Sequence, residues 1–427
     1  MYLKRINYII AFLLIAAFTA CEAEIEQYTP DAGDIELTTF VALGNSLTAG
    51  FADGELYKDG QINSMANILA GQLMHVGLES FRQPLMKDNL GFGGRLVLGV
   101  VNGQLMPVPA GGNPSPDNFV NIYTPDAPFH NLGVPGATTQ HLLAPGYGTM
   151  NPYFGRFASN PASASVIGDA MALNPSFFSL WAGNDDILNF ARSGGEGAGI
   201  TPLSDFETYY NMLLGQLTSQ GAKGVIANIP GIINIPFFNT IPFNAIVLAD
   251  QNIVDALNAA YAAAPHVSFE LGPNPLVVED NQHPAGFRQL QAGELVLLTA
   301  MAGISGQGWG TSEFLPAQYY LSLDQVDEIQ TATQDYNNAL ISFANNYGLA
   351  LADIHGVLGA AETGIFFDAI EFTTAFITGG AFSLDGIHLN ARGNAIVANE
   401  FIDAINNKYN ATIPKVQVGQ FSGIIFP

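Results

Sequence analysis

Short apolar runs that alternate with helical patterns constrain the fold of this chain more than any other feature. Four such runs span residues 38–43, 177–182, 224–229 and 349–353, and apolar residues at helical spacing follow several of them. Strands alternating with helices favour a parallel sheet with helices on both faces. Because ligands of such sheets bind outside the carboxyl ends of the strands, we expect the functional residues just after these runs.

The regions between these elements predict one domain, residues 38–427, with two long insertions. The first insertion covers about 75–130 and contains a hairpin signal at Asn102-Gly103, since Asn-Gly favours a type I′ turn. The second covers about 230–320 and is rich in proline at its start. A length of 427 residues would suggest two or three domains, but motifs at both ends of the chain must meet in one site.

The N-terminus has the pattern of an export signal. Two basic residues precede the apolar stretch 9–18, and small residues then lead to Cys21, the only cysteine of the chain. The apolar stretch is too short for a spanning helix. Phe18-Thr19-Ala20-Cys21 resembles the lipobox of bacterial lipoproteins, in which the cysteine becomes the acylated N-terminus; a plain secretory signal is the alternative. We predict a signal peptide over residues 1–20 and attachment to the outer membrane through lipid on Cys21, with the protein facing the periplasm or the cell surface.

Charge narrows the possible partners. The chain has 13 basic and 37 acidic residues and a net charge of −24, which argues against nucleic acid and against a basic patch for anionic lipid. Residues 21–37 are polar and acidic, with Glu22, Glu24 and Glu26 directly after the cysteine, and predict a tether. Only 12% of the residues are charged and 48% are hydrophobic, so the remainder predicts a folded protein with a large core.

A serine and a carboxylate–imidazole pair supply the reactive groups. Ser46 follows the first apolar run at a strand-to-helix position, where its oxygen would be exposed. A hydroxyl becomes a good nucleophile when a neighbouring base takes its proton. We expect His388 to be that base and Asp385 to orient it, because a spacing of three places both on one face of a turn. Asp353 and His355 form a second pair, but no helix is predicted after them to set such a turn.

Two further residues are candidate donors to an oxyanion. Gly136 lies in the run Asn131 to Gly136, and a glycine lets its backbone N–H approach a tetrahedral intermediate closely. Asn184 follows the second apolar run in Gly183-Asn184-Asp185, and its side-chain amide would add a second donor. The sequence therefore predicts a serine acyl hydrolase site that is assembled from four separate segments.

The four motifs together resemble those of the SGNH or GDSL family of lipases and esterases. The match lies in Gly44-Asn45-Ser46-Leu47, Gly136, Ala182-Gly183-Asn184-Asp185 and Asp385 to His388. Asn45 replaces the family's aspartate, and Ala182 replaces a glycine. The resemblance implies a flavodoxin-like, three-layer α/β/α fold, an acyl-enzyme on Ser46, and no metal or organic cofactor.

Three hypotheses about the function remain open from the sequence. Eight apolar residues of the second insertion could line a groove for the acyl chain of a lipid, or could be ordinary core: Ile232, Ile233, Ile235, Phe237, Phe238, Ile241, Phe243 and Ile246. Deacetylation of a polysaccharide is the second reading. The third is a non-catalytic lipoprotein that binds glycan or lipid, against which the complete set of reactive residues argues.

Overall fold

A parallel sheet of five strands forms the centre of the computed structural model, which describes residues 29–101 and 103–427. The strands are β1 (Phe40–Gly44), β2 (Asn131–Gly133), β3 (Phe177–Trp181), β4 (Lys223–Ala227) and β5 (Ala350–Ala352). Their order is β5-β4-β3-β1-β2, and every neighbouring pair is parallel. The predicted α/β class and flavodoxin-like sheet are confirmed.

The strands differ in how visible they are in the sequence. All five residues of β1 and of β3 are buried, as expected for strands that are covered on both faces. The short edge strand β2 was missed, because Asn-Leu-Gly has no β-branched residue and no alternation. Its pairing with β1 decides its conformation: Ala42, Leu43 and Gly44 lie opposite residues 131–133.

Helices cover both faces of the sheet and complete the three layers. The main helices are α1 (Ser46–Ala49), α2 (Met65–Leu73), α3 (Asn184–Ala191), α4 (Leu203–Leu217), α5 (Leu323–Tyr347) and α6 (Ala391–Tyr409). Helices α2 and α6 pack together on one face, where Trp181 of β3 contacts Phe401 of α6. Helices α4 and α5 pack together on the other face, where the rings of Phe206 and Tyr336 stack.

Smaller elements, several of them in the two predicted insertions, lie around this body. The short helices are Lys58–Ile62, Thr139–Leu143, Pro152–Gly155, Val166–Met171, Pro236–Asn239, Gln251–Ala260, Met301–Gly306 and Ile354–Ala360. The antiparallel pairs are Leu96–Val101 with Gln104–Pro109, Ile246–Leu248 with Gly272–Asn274, Val277–Glu279 with Phe287–Gln289, Leu295–Val296 with Tyr320–Leu321, and Ile365–Phe367 with Ile370–Phe372. The first pair is the hairpin that Asn102-Gly103 predicts. The second insertion has small apolar clusters of its own, around Val278 and Val254.

The end of the predicted acidic tether packs onto the body. Residues 31–427 form one compact unit, and Ile35 and Leu37 are buried in its core. The Asp34 N–H donates to the Tyr409 carbonyl at 2.8 Å, which fastens this segment to the end of α6. The folded body therefore begins before residue 37, the predicted end of the tether, because buried apolar residues lie between the acidic ones.

The predictions for Cys21 and for the signal peptide over residues 1–20 lie outside the described residues. Within the part of the chain that the structure describes, no helix is both long and apolar enough to cross a membrane.

Candidate active site

Ser46 lies where β1 gives way to α1, at the carboxyl edge of the sheet. The Asn45 side chain caps the helix by accepting a hydrogen bond from the Leu47 N–H at 3.1 Å. Ser46 is 5% exposed. Across residues 29–101 and 103–427, no protein group forms a hydrogen bond with its hydroxyl. The first N–H groups of a helix lack partners within the helix, and a helix N-terminus stabilises nearby negative charge.

Asp385 and His388 are in direct contact. The imidazole Nδ1 lies 2.8 Å from the Asp385 carboxylate, and the imidazole is mostly buried. The same carboxylate accepts the backbone N–H groups of Ile387 and His388, so a local turn sets both side chains. With Nδ1 facing the carboxylate, the other ring nitrogen is left to act as an acid or base.

Gly54, more than 300 residues away in the chain, and Ser383, two residues away, hold the Asp385 carboxylate in place. It accepts the Gly54 N–H at 2.9 Å and the Ser383 hydroxyl at 3.0 Å. Asp53 accepts the Leu384 N–H at 3.0 Å and also donates its own N–H to the Ser383 hydroxyl. Burial raises the pKa of Asp385, but the neighbouring His388 and the hydrogen bonds from His388 and the Ile387 N–H outweigh burial, so its pKa lies well below the usual 3.8. The carboxylate is therefore ionised throughout the neutral range.

Asn184 begins α3, beyond the carboxyl end of β3. Its side chain is 2% exposed, and among the described residues neither its Oδ1 nor its Nδ2 has a hydrogen-bond partner. The same holds for the indole N–H of Trp181, the last residue of β3. Buried polar groups are nearly always paired, so unpaired groups beside a cavity indicate a place where a polar ligand binds.

Gly136 lies in the turn after β2, with a φ of 77° that an L side chain rarely adopts. A Cβ at this position would meet no atom within 4 Å, so the residue faces open space. No hydrogen bond from its N–H is present in the described structure. Gly133, Gly44 and Trp181 lie side by side in the sheet, so the loops that follow them, with Gly136, Ser46 and Asn184, leave the same edge.

One small cavity connects these elements. Ser46, Asn184 and His388 all line it, and its other walls are largely apolar. Gly136 is not part of that lining. The structure therefore brings the predicted nucleophile, base and amide donor together, and leaves the glycine on the neighbouring loop.

The second carboxylate–histidine pair has a different role. Asp353 caps the helix Ile354–Ala360 by accepting the Gly356 N–H at 3.0 Å, so the expectation that no helix follows it is wrong. The His355 Nδ1 lies 3.0 Å from the Ile229 carbonyl and does not contact Asp353. This pair makes structural contacts, and neither residue lines the cavity of Ser46 described above.

A sequence comparison identifies the family. A family profile described as GDSL-like Lipase/Acylhydrolase matches residues 40–401, most of the chain. The chain belongs to the GDSL-like lipase/acylhydrolase family. A comparison with curated protein sequences finds no match.

A comparison with solved structures finds matches at low similarity. A putative GDSL-like lipase from Parabacteroides merdae is 11% identical, with a TM-score of 0.36, over 88% of this chain and 99% of that one. A lipase/acylhydrolase from Enterococcus faecalis is 11% identical, with a TM-score of 0.34, over 89% and 100%. A variant of an acetyl-xylooligosaccharide esterase from Geobacillus is 10% identical, with a TM-score of 0.38, over 87% and 96%. Such values carry no information on the substrate of this chain.

In this GDSL family member, Asn45 fills the position of the usual aspartate without loss of the helix cap. Its Oδ1 makes the capping contact, while its Nδ2 is buried with no partner in the described structure. Asp185 is also buried nearby; burial raises its pKa to about 6, while the charge of His388 lowers it. An asparagine at position 45 avoids a further negative charge beside this already unfavourable carboxylate.

Sequence reasoning missed several residues that shape this GDSL site. The Phe51 ring lies against the His388 imidazole, with 4.7 Å between ring centroids. Asp53, Gly54 and Ser383 position Asp385, as described above. Only Ser383 lies close enough in the sequence, two residues before Asp385, to be noticed beside the motif. The other residues are more than 300 positions away from Asp385 and His388 in the chain. Among the residues described, no cluster of three or more His, Cys, Asp or Glu is arranged to hold a metal ion.

Proposed function

We propose that this protein is a serine carboxylic ester hydrolase, with Ser46 as nucleophile, His388 as base and Asp385 as the residue that orients the base. The observation that carries the proposal is the unpaired Asn184 amide, buried in the cavity that Ser46 and His388 also line. An amide that has no partner among the described residues is available to a substrate oxygen.

The reaction follows from the positions of these groups. The Ser46 oxygen attacks the ester carbonyl carbon, and its proton passes to His388. The Asp385 carboxylate stabilises the imidazolium that forms. The carbonyl oxygen becomes an oxyanion and accepts hydrogen bonds from the Asn184 amide and the Gly136 N–H. His388 then protonates the departing alcohol, and water, activated by the same imidazole, hydrolyses the acyl-enzyme and restores the serine.

The size of the cavity favours a short acyl group over the acyl chain of a lipid. Its volume of about 30 Å³ is far below the roughly 300–1,000 Å³ of pockets that enclose larger ligands. Of the apolar residues that could have lined a long groove, Ile233, Phe238 and Ile241 are buried in apolar clusters and do not line the cavity. Ile232 and Ile235 do line it. We therefore place acetyl and similarly short esters, as on an acylated glycan, ahead of long-chain lipids.

Hydrolysis of p-nitrophenyl esters tests the mechanism. Ser46→Ala and His388→Ala should each lower kcat by several orders of magnitude, because both remove a reacting group. Ser342→Ala, at an exposed serine of α5, and His355→Gln, at the exposed histidine of the other pair, serve as matched controls with full activity. A folded wild-type protein that hydrolyses none of these esters, or an active Ser46→Ala variant, would contradict the proposal.

The chain-length profile tests the acyl size. From acetyl to palmitoyl, kcat/KM should be highest for acetyl and should fall by at least about tenfold at octanoyl, because each added methylene lacks space. Leu358→Ala removes a cavity wall and should move the optimum to longer chains. Val357→Ala, on the same helix but outside the lining, should not move it. An optimum at long chains in the wild type would exclude the short-acyl assignment.

Attachment to the outer membrane through lipid on Cys21 remains part of the proposal. It is supported by the N-terminal sequence pattern alone. Full-length protein expressed in a Gram-negative host should incorporate a radiolabelled fatty acid and sediment with membranes, whereas Cys21→Ser should do neither. A wild-type protein that is unlabelled and secreted in soluble form would indicate a plain secretory signal.

A further inference from the structure

The two candidate oxyanion donors belong to separate parts of the chain. Gly136 follows β2 and Asn184 follows β3, and β1 with Ser46 lies between these two strands in the sheet. Neither donor is fixed by the strand that precedes it, because each lies in a loop or at a helix start beyond the sheet. Their mutual distance must nevertheless be constant to within a fraction of an ångström if both are to bind one oxygen.

Asp186 joins the two loops directly. It lies two residues after Asn184, and its carboxylate accepts the N–H of Thr139 at 2.9 Å and the Thr139 hydroxyl at 2.8 Å. Thr139 in turn lies three residues after Gly136. Both side chains are buried, at 3% and 0% exposure. Charge-assisted hydrogen bonds of this kind are short and strong, and two of them to one carboxylate restrict rotation as well as distance.

We propose that Asp186 is a positioning residue for the oxyanion site, which acts through Thr139 to hold the Gly136 N–H and the Asn184 amide at a common point above Ser46. This inference rests on the proposed serine esterase function. Asp186 does not line the cavity with Ser46 and His388. It therefore acts through the two donors and does not itself touch the substrate.

A second contact fixes the Gly136 loop from its other side. Asn151 donates its side-chain amide to the Pro135 carbonyl at 2.9 Å. The loop is thus held immediately before Gly136 by Asn151 and shortly after it by Asp186. Of these two contacts, only the Asp186 contact reaches the segment that carries Asn184, so it links the positions of the two donors directly.

The chain offers a matched contact away from the site. Asp169 accepts both the N–H and the hydroxyl of Ser159, in the same chemical arrangement, at the surface. If loss of such a contact affects activity only through general stability, variants at Asp169 and at Asp186 should change activity in the same way.

The test compares Thr139→Val, Thr139→Ser, Asp186→Asn and Asp169→Asn in purified protein. Hydrolysis of p-nitrophenyl acetate is measured, and active sites are counted with an organophosphate that reacts with the serine. We expect Thr139→Val and Asp186→Asn to lower kcat per active site by about tenfold, less than the roughly 10²–10³ for loss of a donor. KM should change by less than about twofold, since the ester itself is bound without the oxyanion. Thr139→Ser restores the hydroxyl and should restore kcat.

A control for the donor itself completes the design. In an Asn184→Ala background, Thr139→Val should lower kcat by a much smaller factor than in the wild type, because one of the two donors that the contact aligns is already absent. Full kcat in both Thr139→Val and Asp186→Asn, or an equal loss in Asp169→Asn, would overturn the inference. If Asp186→Asn does not fold, the isosteric Thr139→Val variant decides. An active Ser46→Ala variant would instead overturn the esterase proposal, so the two failures are distinguishable.

Discussion

Truncation of Ser383 to alanine should destabilise the protein by an amount that can be worked from its contacts. The residue is fully buried, and its hydroxyl connects two segments of the site. It donates to the Asp385 carboxylate at 3.0 Å and accepts the Asp53 N–H at 3.0 Å. Alanine removes a hydrogen bond to a charged group and leaves a backbone donor without its partner.

The expected loss is about 3 kcal/mol in the free energy of unfolding. A hydrogen bond to a charged group contributes roughly 1.5–3 kcal/mol, and an orphaned buried donor costs roughly 1–3 kcal/mol, with partial relaxation of the loop. Asp385 keeps its contacts with Gly54, Ile387 and His388. We therefore expect kcat to fall by less than about tenfold, since the imidazole is still oriented.

Urea unfolding at pH 7 measures the effect, and Ser179→Ala is the control. Ser179 is also buried, but no hydrogen bond to its hydroxyl exists among the described residues, so its truncation should change stability by less than about 0.5 kcal/mol. The pKa of Asp385 is lower in the folded protein than the 3.8 of an unfolded chain. The ionised carboxylate therefore contributes its full stabilisation of the folded state above pH 3.8, and this contribution is lost as pH falls below that value. The difference between Ser383→Ala and wild type should shrink in the same range. Equal stability of the two serine variants at pH 7 would refute this reasoning.

Three further predictions concern charge, packing and ring contact. Burial raises the pKa of Asp185 to about 6, so at pH 7 its charge lowers the free energy of unfolding by roughly 3 kcal/mol. Asp185→Asn should therefore raise the melting temperature at pH 7, and this gain should vanish as pH falls toward 4. Gly133→Ala should abolish soluble, active protein, because the added Cβ would lie 2.3 Å from the backbone of α1. At Gly71 in α2, an added Cβ would meet no described atom within 4 Å, so Gly71→Ala should raise the free energy of unfolding by about 0.5–1 kcal/mol, measured by thermal unfolding. Phe51→Ala should lower kcat for p-nitrophenyl acetate by about tenfold, because the His388 ring loses its packing partner; an unchanged kcat would show that Asp385 alone orients the ring.

Local chemistry explains why much of the candidate site is visible in the sequence. The Asp385–His388 contact forms within one turn, so a spacing of three residues was enough to predict it. Ser46 and Asn184 each follow a continuous apolar run, and the carboxyl ends of parallel strands meet at one edge. These inferences need only the strand period and the rule that neighbouring parallel strands share an edge.

Other features depend on contacts that no local pattern encodes. Asp53 and Phe51 reach the Asp385–His388 turn from more than 300 residues away, through a close approach of two loops. The short strand β2 exists because its backbone pairs with β1, not because of its side chains. The apolar residues of the second insertion could have been groove or core, and only packing placed most of them in the core.

By itself, the sequence determined the α/β class and the order of the motifs and predicted the candidate reactive groups, because short-range periodicity and spacing carry that information. The tertiary structure decided which separate loops are joined, how much room is left beside Ser46, and that Asp186 links Gly136 to Asn184 through Thr139. The physical reason is that hydrogen bonds between distant segments and the volume of a cavity depend on strand order and register, which arise only when the whole chain packs.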